Sequence, residues 1–320
     1  MNEFSIIKKY FLKLTKKNRG SFNLCDDVFF DYKKGIAISI DTFVEKTHFL
    51  NFKYPDLVIK KALRASISDL ICKGIIPKYY FMSFSGNKKH LTQANLAKIK
   101  LALKQEQIKY NIFLAGGDTS YSNRLSITIS VVGYSKKSPV LRSGAKVNDD
   151  IYITNTIGDA FVGLKLLKGK IKLSKKNSDY FVRRFYLPIL PIKFSKRIHL
   201  FANSAIDISD GFFQDLQHIL SRSNLSSKIF KNKIPISSYL NSYLIKTKKN
   251  KLNFISNGDD YQILFTASKK MRHLIKKISK STSTKVSIVG IVKNKSISKN
   301  TKLIEEKFKF PKKLGYIHNF

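Results

Sequence analysis

The sequence predicts an α+β protein built as two domains. Short apolar runs rich in Ile, Val and Phe, such as "GIAISID", "LSITISVVGY", "IYITN" and "AIDIS", are too brief for helices and read as strands. They are mixed with longer stretches at helical spacing, without the strict alternation of a doubly wound sheet. The chain has 320 residues, more than one small core needs, and "SKKSPVLRSGAKVNDD" is turn-rich enough to be a border. An N-terminal sheet domain over 1–137 and a C-terminal α/β domain over 138–320 are therefore expected.

Each element follows from a local signal. Phe4, Ile7, Phe11 and Leu14 lie at helical spacing among lysines, predicting a first amphipathic helix over about 4–16. A polar loop, "NRGSFNLCDD", precedes a strand ending at Asp41. Pro55 and Asp56 form a helix-opening pair, and that helix should run to Cys72. The strand "KYYFMSF", a helix over 91–109 and the strands "NIFLAGGD" and "LSITISVVGY" complete the first part. The second part begins with "IYITN", a helix after Gly158 and two helical stretches to about 203. Next come "AIDIS", a helix after Asp210, strands near 254, 261–266 and 285–292, and a helix over 269–279. The aromatic tail "KFPKKLGYIHNF" is expected to dock.

Composition narrows the function. With 60 Lys and Arg against 21 Asp and Glu, the formal net charge is +39. The lysines are spread along the whole chain and arginine is sparse, whereas specific DNA readers favour arginine forks. The excess is read as codon drift, and no specific nucleic-acid partner is expected. No apolar run approaches the roughly 18 residues of a membrane span. The two cysteines, Cys25 and Cys72, lack metal-ligand spacing, which suits a reducing cytoplasm and no structural zinc.

The scarce acids are not spread evenly. Of 16 aspartates, nine fall in short clusters: Asp26–Asp27, Asp41, Asp69, Asp118, Asp207 with Asp210, and Asp259–Asp260. Most follow an apolar run beside Gly, Ser or Thr, where strands end and loops begin. Several short carboxylates converging there suit Mg²⁺, which takes hard oxygen ligands together with substrate phosphates. The motifs of P-loop enzymes, protein kinases, serine hydrolases and zinc proteases are absent. "GGDTS" at 116–120 offers backbone for close approach to phosphate, and Arg142 a phosphate fork. Asp215 and Asp260 are read either as capping groups or as supports behind the site residues, His218 as structural, and Phe212 and Phe213 as core.

The order of these clusters resembles the thiamine-monophosphate kinase family, within the superfamily of aminoimidazole ribonucleotide synthetase. The motifs that carry the resemblance are "NEFSII", "CDD", "IDTFVEKTHF", "SISDLICKGIIP", "GGDTS", "RSGAKVNDDIYIT", "IDISDGFFQDLQHI", "NGDDYQILF" and "GYIHNF". They span practically the full length. The resemblance implies ATP-dependent phosphorylation of thiamine monophosphate to thiamine diphosphate. It assigns Asp27, Asp41, Asp69, Asp118, Asp207 and Asp210 to several Mg²⁺ ions, with Ser39 and Ile40 contributing nearby. Gly117, Arg142 and Ser209 would contact the nucleotide, together with Asp118. His48, Asp259 and Tyr316 would contact thiamine phosphate, and a homodimer through the first domain is implied.

The acceptor is a phosphate monoester with a second pKa near 6, already an anion at neutral pH. Positioning and charge neutralisation suffice, so no general base is expected. The departures from the pattern are Cys25 for Gly, Ile40 for Thr, Asn257 for Gly and Asp259 for Glu. Another enzyme of the superfamily, or a basic nucleic-acid-binding protein, remains as an alternative.

Overall fold

The computed structural model describes residues 3–295 and 314–316. After α1 (Glu3–Ile6), the chain continues in irregular helical turns to Thr15. The expected first helix is therefore present but uneven, and Phe11 and Leu14 stay exposed. The first sheet contains β1 (Phe29–Asp31), β2 (Ile36–Val44), β3 (Ile76–Gly86), β4 (Phe113–Tyr121) and β5 (Ser126–Tyr134). Their order is β1-β2-β5-β3-β4, antiparallel except for the parallel pair β3–β4. A parallel pair needs a long crossover. Here α3 (Gln93–Tyr110) supplies it, after α2 (Pro55–Cys72) has packed beneath the same sheet.

Alternation along β2 sets which face is buried. Ala37, Ser39 and Phe43 point into the core, while Ile38 and Ile40 point out. Pro55 starts α2 at its first turn, where a missing N–H does no harm. Its Ile59, Leu63, Ile67 and Leu70 are fully buried.

The second half carries α4 (Asp159–Leu167), α5 (Lys175–Tyr186) and α6 (Ile192–Ser195), then α7 (Phe212–Arg222), α8 (Ser238–Thr247), α9 (Leu252–Ile255) and α10 (Arg272–Ser281). Its sheet comprises β6 (Asp150–Thr154), β7 (Ala202–Asp207), β8 (Leu225–Ile229), β9 (Ile263–Ala267) and β10 (Val286–Asn294). The order is β7-β9-β6-β10-β8, antiparallel throughout. Every residue of β6 and β9 is buried, because the sheet is covered on both faces. Phe212, Phe213 and Leu216 pack on one side, as expected of the two phenylalanines, and Phe194 and Ile275 on the other.

Several expectations need correction. The strand near 254 is the short helix α9, and β1, β8 and α8 had no counterpart in the sequence reading. Four-residue apolar runs fit either period, and here the loop geometry around Ser256–Asp260 decides. The strand "AIDIS" stops at Asp207.

The halves are joined by packing and by polar contacts that cross between them. Phe185, Tyr186, Leu190 and Tyr261 enter the core of the first half. Arg64 on α2 donates Nε and Nη2 to Glu106 on α3, both at 2.7 Å, and Nη1 to the Pro188 carbonyl at 3.1 Å. The bidentate geometry satisfies both charges, which is what makes a buried pair tolerable.

Candidate active site

A cavity of about 770 Å³ opens where the two halves meet. Strand β2 brings Asp41 to its wall and α2 brings Asp69. The loop before β1 brings Asp26 and Asp27, the end of β7 brings Asp207, and the turn after it brings Ser209 and Asp210. Gly211 makes that turn possible: its φ of +130° is open to glycine alone at little cost. Its N–H donates to Asp215 Oδ2 at 3.0 Å, so Asp215 caps α7 as expected. Asp260 has the same kind of task, accepting from Gly158 N at 2.7 Å.

The expected substrate residues are in the same cavity. His48 lines it and accepts at Nδ1 from Val44 N at 3.0 Å. Asp259 lines it with its backbone left-handed, at φ +70°. Its loop is pressed onto the turn of β7: a Cβ on Gly258 would lie 1.6 Å from the Ser209 carbonyl oxygen. Tyr316 also lines it and donates its N–H to the Asp210 carbonyl at 3.1 Å. The tail thus docks through residues 314–316, and Ile317–Phe320 lie outside the described residues. Ile40 is two-thirds exposed and also borders the cavity.

Three expected residues are not brought in. Ser39 is buried and donates its hydroxyl to the Ser66 carbonyl at 3.3 Å, facing the core. Gly117 and Asp118 sit on β4, the sheet's edge, paired with Met82 and Ser83. Asp118 is exposed there and lines no part of this cavity. Gly117 is required by close packing, since a Cβ would lie 2.0 Å from the Met82 carbonyl oxygen. Asp118 carries the same local signal as Asp41, but pairing on an edge strand turns it elsewhere.

The cluster divides electrostatically. Burial would raise Asp27, but Arg142 and Lys73 overcome it and hold its pKa at about 2. Arg142 Nε is 3.1 Å from Asp27 Oδ2, and its Nη2 contacts Oδ1. Arg142 N donates to Asp26 Oδ2 at 2.7 Å. The other carboxyls lack such partners. Burial, then Asp207, pushes Asp41 up to about 7 and Asp210 likewise to about 7. Burial, then Asp27, raises Asp207 to about 6, although it accepts from Ser68 Oγ at 2.5 Å. Asp69 is raised by burial and by Asp41. His218 is pushed down to about 4 by burial and then Arg142, and its ring meets Phe4 at 5.0 Å.

Four crowded carboxyls without a neutralising side chain are what a divalent cation fits. Oxygens of Asp27 and Asp207 lie within 4.8 Å of each other and of the buried Cys72 sulfur, and those of Asp210 and Asp215 lie likewise with a His218 nitrogen. The carboxylate oxygens are hard donors and outnumber the thiol and the imidazole, so the residues present suit Mg²⁺.

Sequence reasoning missed Lys73, Ser68 and Lys61. Lys61 Nζ, 2.7 Å from Asp259 Oδ1 and 3.4 Å from the centre of the Phe185 ring, anchors the Asp259 loop from below. Nothing local distinguishes these lysines among 60 basic residues. Of the departures, Cys25 is unstrained at φ −114°, while the left-handed residues are Phe22, Asn23 and Leu24 just before it. A second, more open cavity of about 850 Å³ between α5 and α8 has no carboxylate in its wall and none of the expected residues.

Residues 25–135 match the family model "AIR synthase related protein, N-terminal domain". A thiamine-monophosphate kinase of Buchnera aphidicola subsp. Acyrthosiphon pisum is 36% identical, over 91% of this chain and 90% of its own. That of Haemophilus influenzae is 33% identical over 83% of this chain and 81% of its own. A solved structure of AaThiL complexed with AMPPCP and TMP superposes with a TM-score of 0.86 at 26% identity, covering 99% of this chain and 97% of that one. With this likeness along nearly its whole length, the chain belongs to the thiamine-monophosphate kinase family.

Proposed function

We propose that this protein transfers the γ-phosphoryl group of ATP to the phosphate of thiamine monophosphate, forming thiamine diphosphate in one in-line step. The carrying observation is the convergence of Asp27, Asp41, Asp69, Asp207 and Asp210 from both halves in one cavity, with His48, Asp259 and Tyr316 on its wall. The reading is supported by the family's name and by the AaThiL complex, which holds AMPPCP and TMP.

Asp41, Asp69, Asp207 and Asp210, with the backbone beside Ile40, would hold Mg²⁺ ions, and Asp27, paired with Lys73 and Arg142, borders them. When bound, Mg²⁺ neutralises phosphate charge and lets two polyanions approach each other. The chain's own residues do the rest. Arg142 and Ser209 face the nucleotide side, while His48, Asp259 and Tyr316 orient thiamine monophosphate. Lys61 holds Asp259 in place. No side chain need remove a proton, because the acceptor oxygen is already anionic at neutral pH.

The proposal includes a domain border at 137/138 and a homodimer. On the first sheet's outer face Ile38, Ile40, Tyr79, Phe81 and Tyr134 are all exposed, beside the unpaired edge of β4. Pairing that face with a second copy covers the apolar surface and offers Asp118 a neighbouring cavity. We place the enzyme in the cytoplasm, without a specific nucleic-acid partner. No helix among the described residues is long and apolar enough to cross a membrane.

The direct test incubates the protein with ATP, thiamine monophosphate and MgCl2 and separates products by chromatography. Thiamine diphosphate and ADP should appear in equal amounts; ADP without thiamine diphosphate refutes the assignment. Sedimentation equilibrium of the same preparation should give the mass of two chains, and a single-chain mass refutes the dimer.

A further inference from the structure

Lys73 follows directly on the end of α2, and the phosphoryl transfer described above gives it no part. It is nevertheless among the most deeply buried side chains of the protein, 1% exposed. Its ammonium touches three oxygens: Asp26 Oδ1 at 2.8 Å, Asp27 Oδ2 at 3.0 Å and the Ala205 carbonyl at 2.8 Å. Burying an ammonium is costly unless all its protons find acceptors, and here all three do. Two acceptors are carboxylates of the loop before β1, and the third belongs to β7, in the other half of the chain.

The distribution of charge around it is uneven. Asp26 and Asp27 are closed off by Lys73 and Arg142. By contrast, Asp41, Asp69, Asp207 and Asp210 form no ion pair among the described residues. One side of the cluster is thus neutralised by the chain itself, and the other is left for ions from solution. An ammonium with three oxygens at 2.8–3.0 Å is placed much as a large monovalent ion would be.

We propose that Lys73 is a tethered cation that occupies one cation position of the acidic cluster, and that it is a positioning residue for Asp26 and Asp27. It holds both carboxylates, and the β7 strand that ends at Asp207, in place before any divalent ion arrives. The proposal rests on the reading of the cluster as a metal site, but not on the identity of the phosphate acceptor.

The test counts ions, not turnover. Lys73→Met keeps the length of the side chain and removes its charge. Mn²⁺ binding, followed by electron paramagnetic resonance without nucleotide, should show one more ion per chain in Lys73→Met than in the wild type. The metal-free variant should also melt lower than the wild type and regain the difference on adding Mn²⁺ or K⁺. Removing the charge from both partners in Lys73→Met/Asp26→Asn should return the Mn²⁺ count to that of the wild type. Equal counts in Lys73→Met and wild type overturn the proposal, as does an extra ion retained by the double variant. A Lys73→Met chain that no cation can fold also overturns it, because the ammonium's hydrogen bonds would then matter in place of its charge. Failure to make thiamine diphosphate would leave all these counts unchanged, so the two readings fail separately.

Discussion

Asp210→Asn should lower kcat on the order of 10³-fold, the loss seen when one preorganised electrostatic contact to a transferring group is removed. The substitution keeps size and shape and removes only the charge. Asp210 stands at the turn after β7, pushed up to about 7 by burial and by the neighbouring Asp207. Its backbone, meanwhile, holds the tail through Tyr316 N. Because asparagine preserves that backbone contact and relieves the repulsion from Asp207, the metal-free variant should melt no lower than the wild type. Its gain in melting temperature with MgCl2 should shrink. Steady-state kinetics with paired thermal melts check both halves, and activity within tenfold of wild type would remove Asp210 from the metal site.

The metal-free protein should lose stability as pH rises from about 5 to about 8, and Mg²⁺ should restore it. Burial and mutual repulsion put Asp41 at about 7, Asp210 at about 7 and Asp207 at about 6. An unfolded Asp titrates near 3.9. Between those values the folded chain keeps protons that the unfolded chain has released. The stabilisation is therefore complete below about pH 4 and is lost as pH climbs through the folded values. Asp27 has the opposite sign: held at about 2, it stabilises above its ordinary range and stops doing so only in strong acid. Stability without metal should therefore be greatest in mild acid. Mg²⁺ competes with protons for the raised carboxyls, so its stabilising effect should grow toward pH 8. Melts in EDTA and in MgCl2 across this range decide the matter. A flat or rising profile in EDTA contradicts the crowding argument, and Asp210→Asn should flatten the fall.

How far the site was legible depends on where its signals lie. Asp41, Asp207 and Asp210 end apolar runs beside Thr, Ser or Gly, a pattern that follows from strand geometry and needs no partner to be seen. Asp215 was recognisable as a capping group because its partner, Gly211 N, is four residues away, whereas Asp260 reaches Gly158 N from a distant part of the chain. Asp118 shows the limit of such signals. It ends an apolar run after two glycines, as a site residue would, yet β4 lies at the sheet's edge and directs Asp118 away from the cavity of its own chain. Arg142 was visible as a cation near phosphate, but its pairing with Asp27 was not. The run near 254 was too short to separate strand from helix, and in the fold it is α9, its Leu252, Phe254 and Ile255 buried ahead of the Ser256–Asp260 loop.

By itself, the sequence determined the α+β class, most of the strands and long helices, and the aspartates carried by β2 and β7, although β2 runs on past Asp41 to Val44. Those are properties of residue period and of the preferences of single residues, which neighbours along the chain largely settle. Only the tertiary structure decided that Lys73 lies inside the acidic cluster, that Lys61 holds Asp259, and that Ser68 reaches Asp207. Each joins segments far apart in the chain, and among so many lysines no local pattern marks Lys61 and Lys73, the two buried among the described residues. The energy of a charge depends on its burial and on what faces it, and neither exists until the two halves have closed on each other.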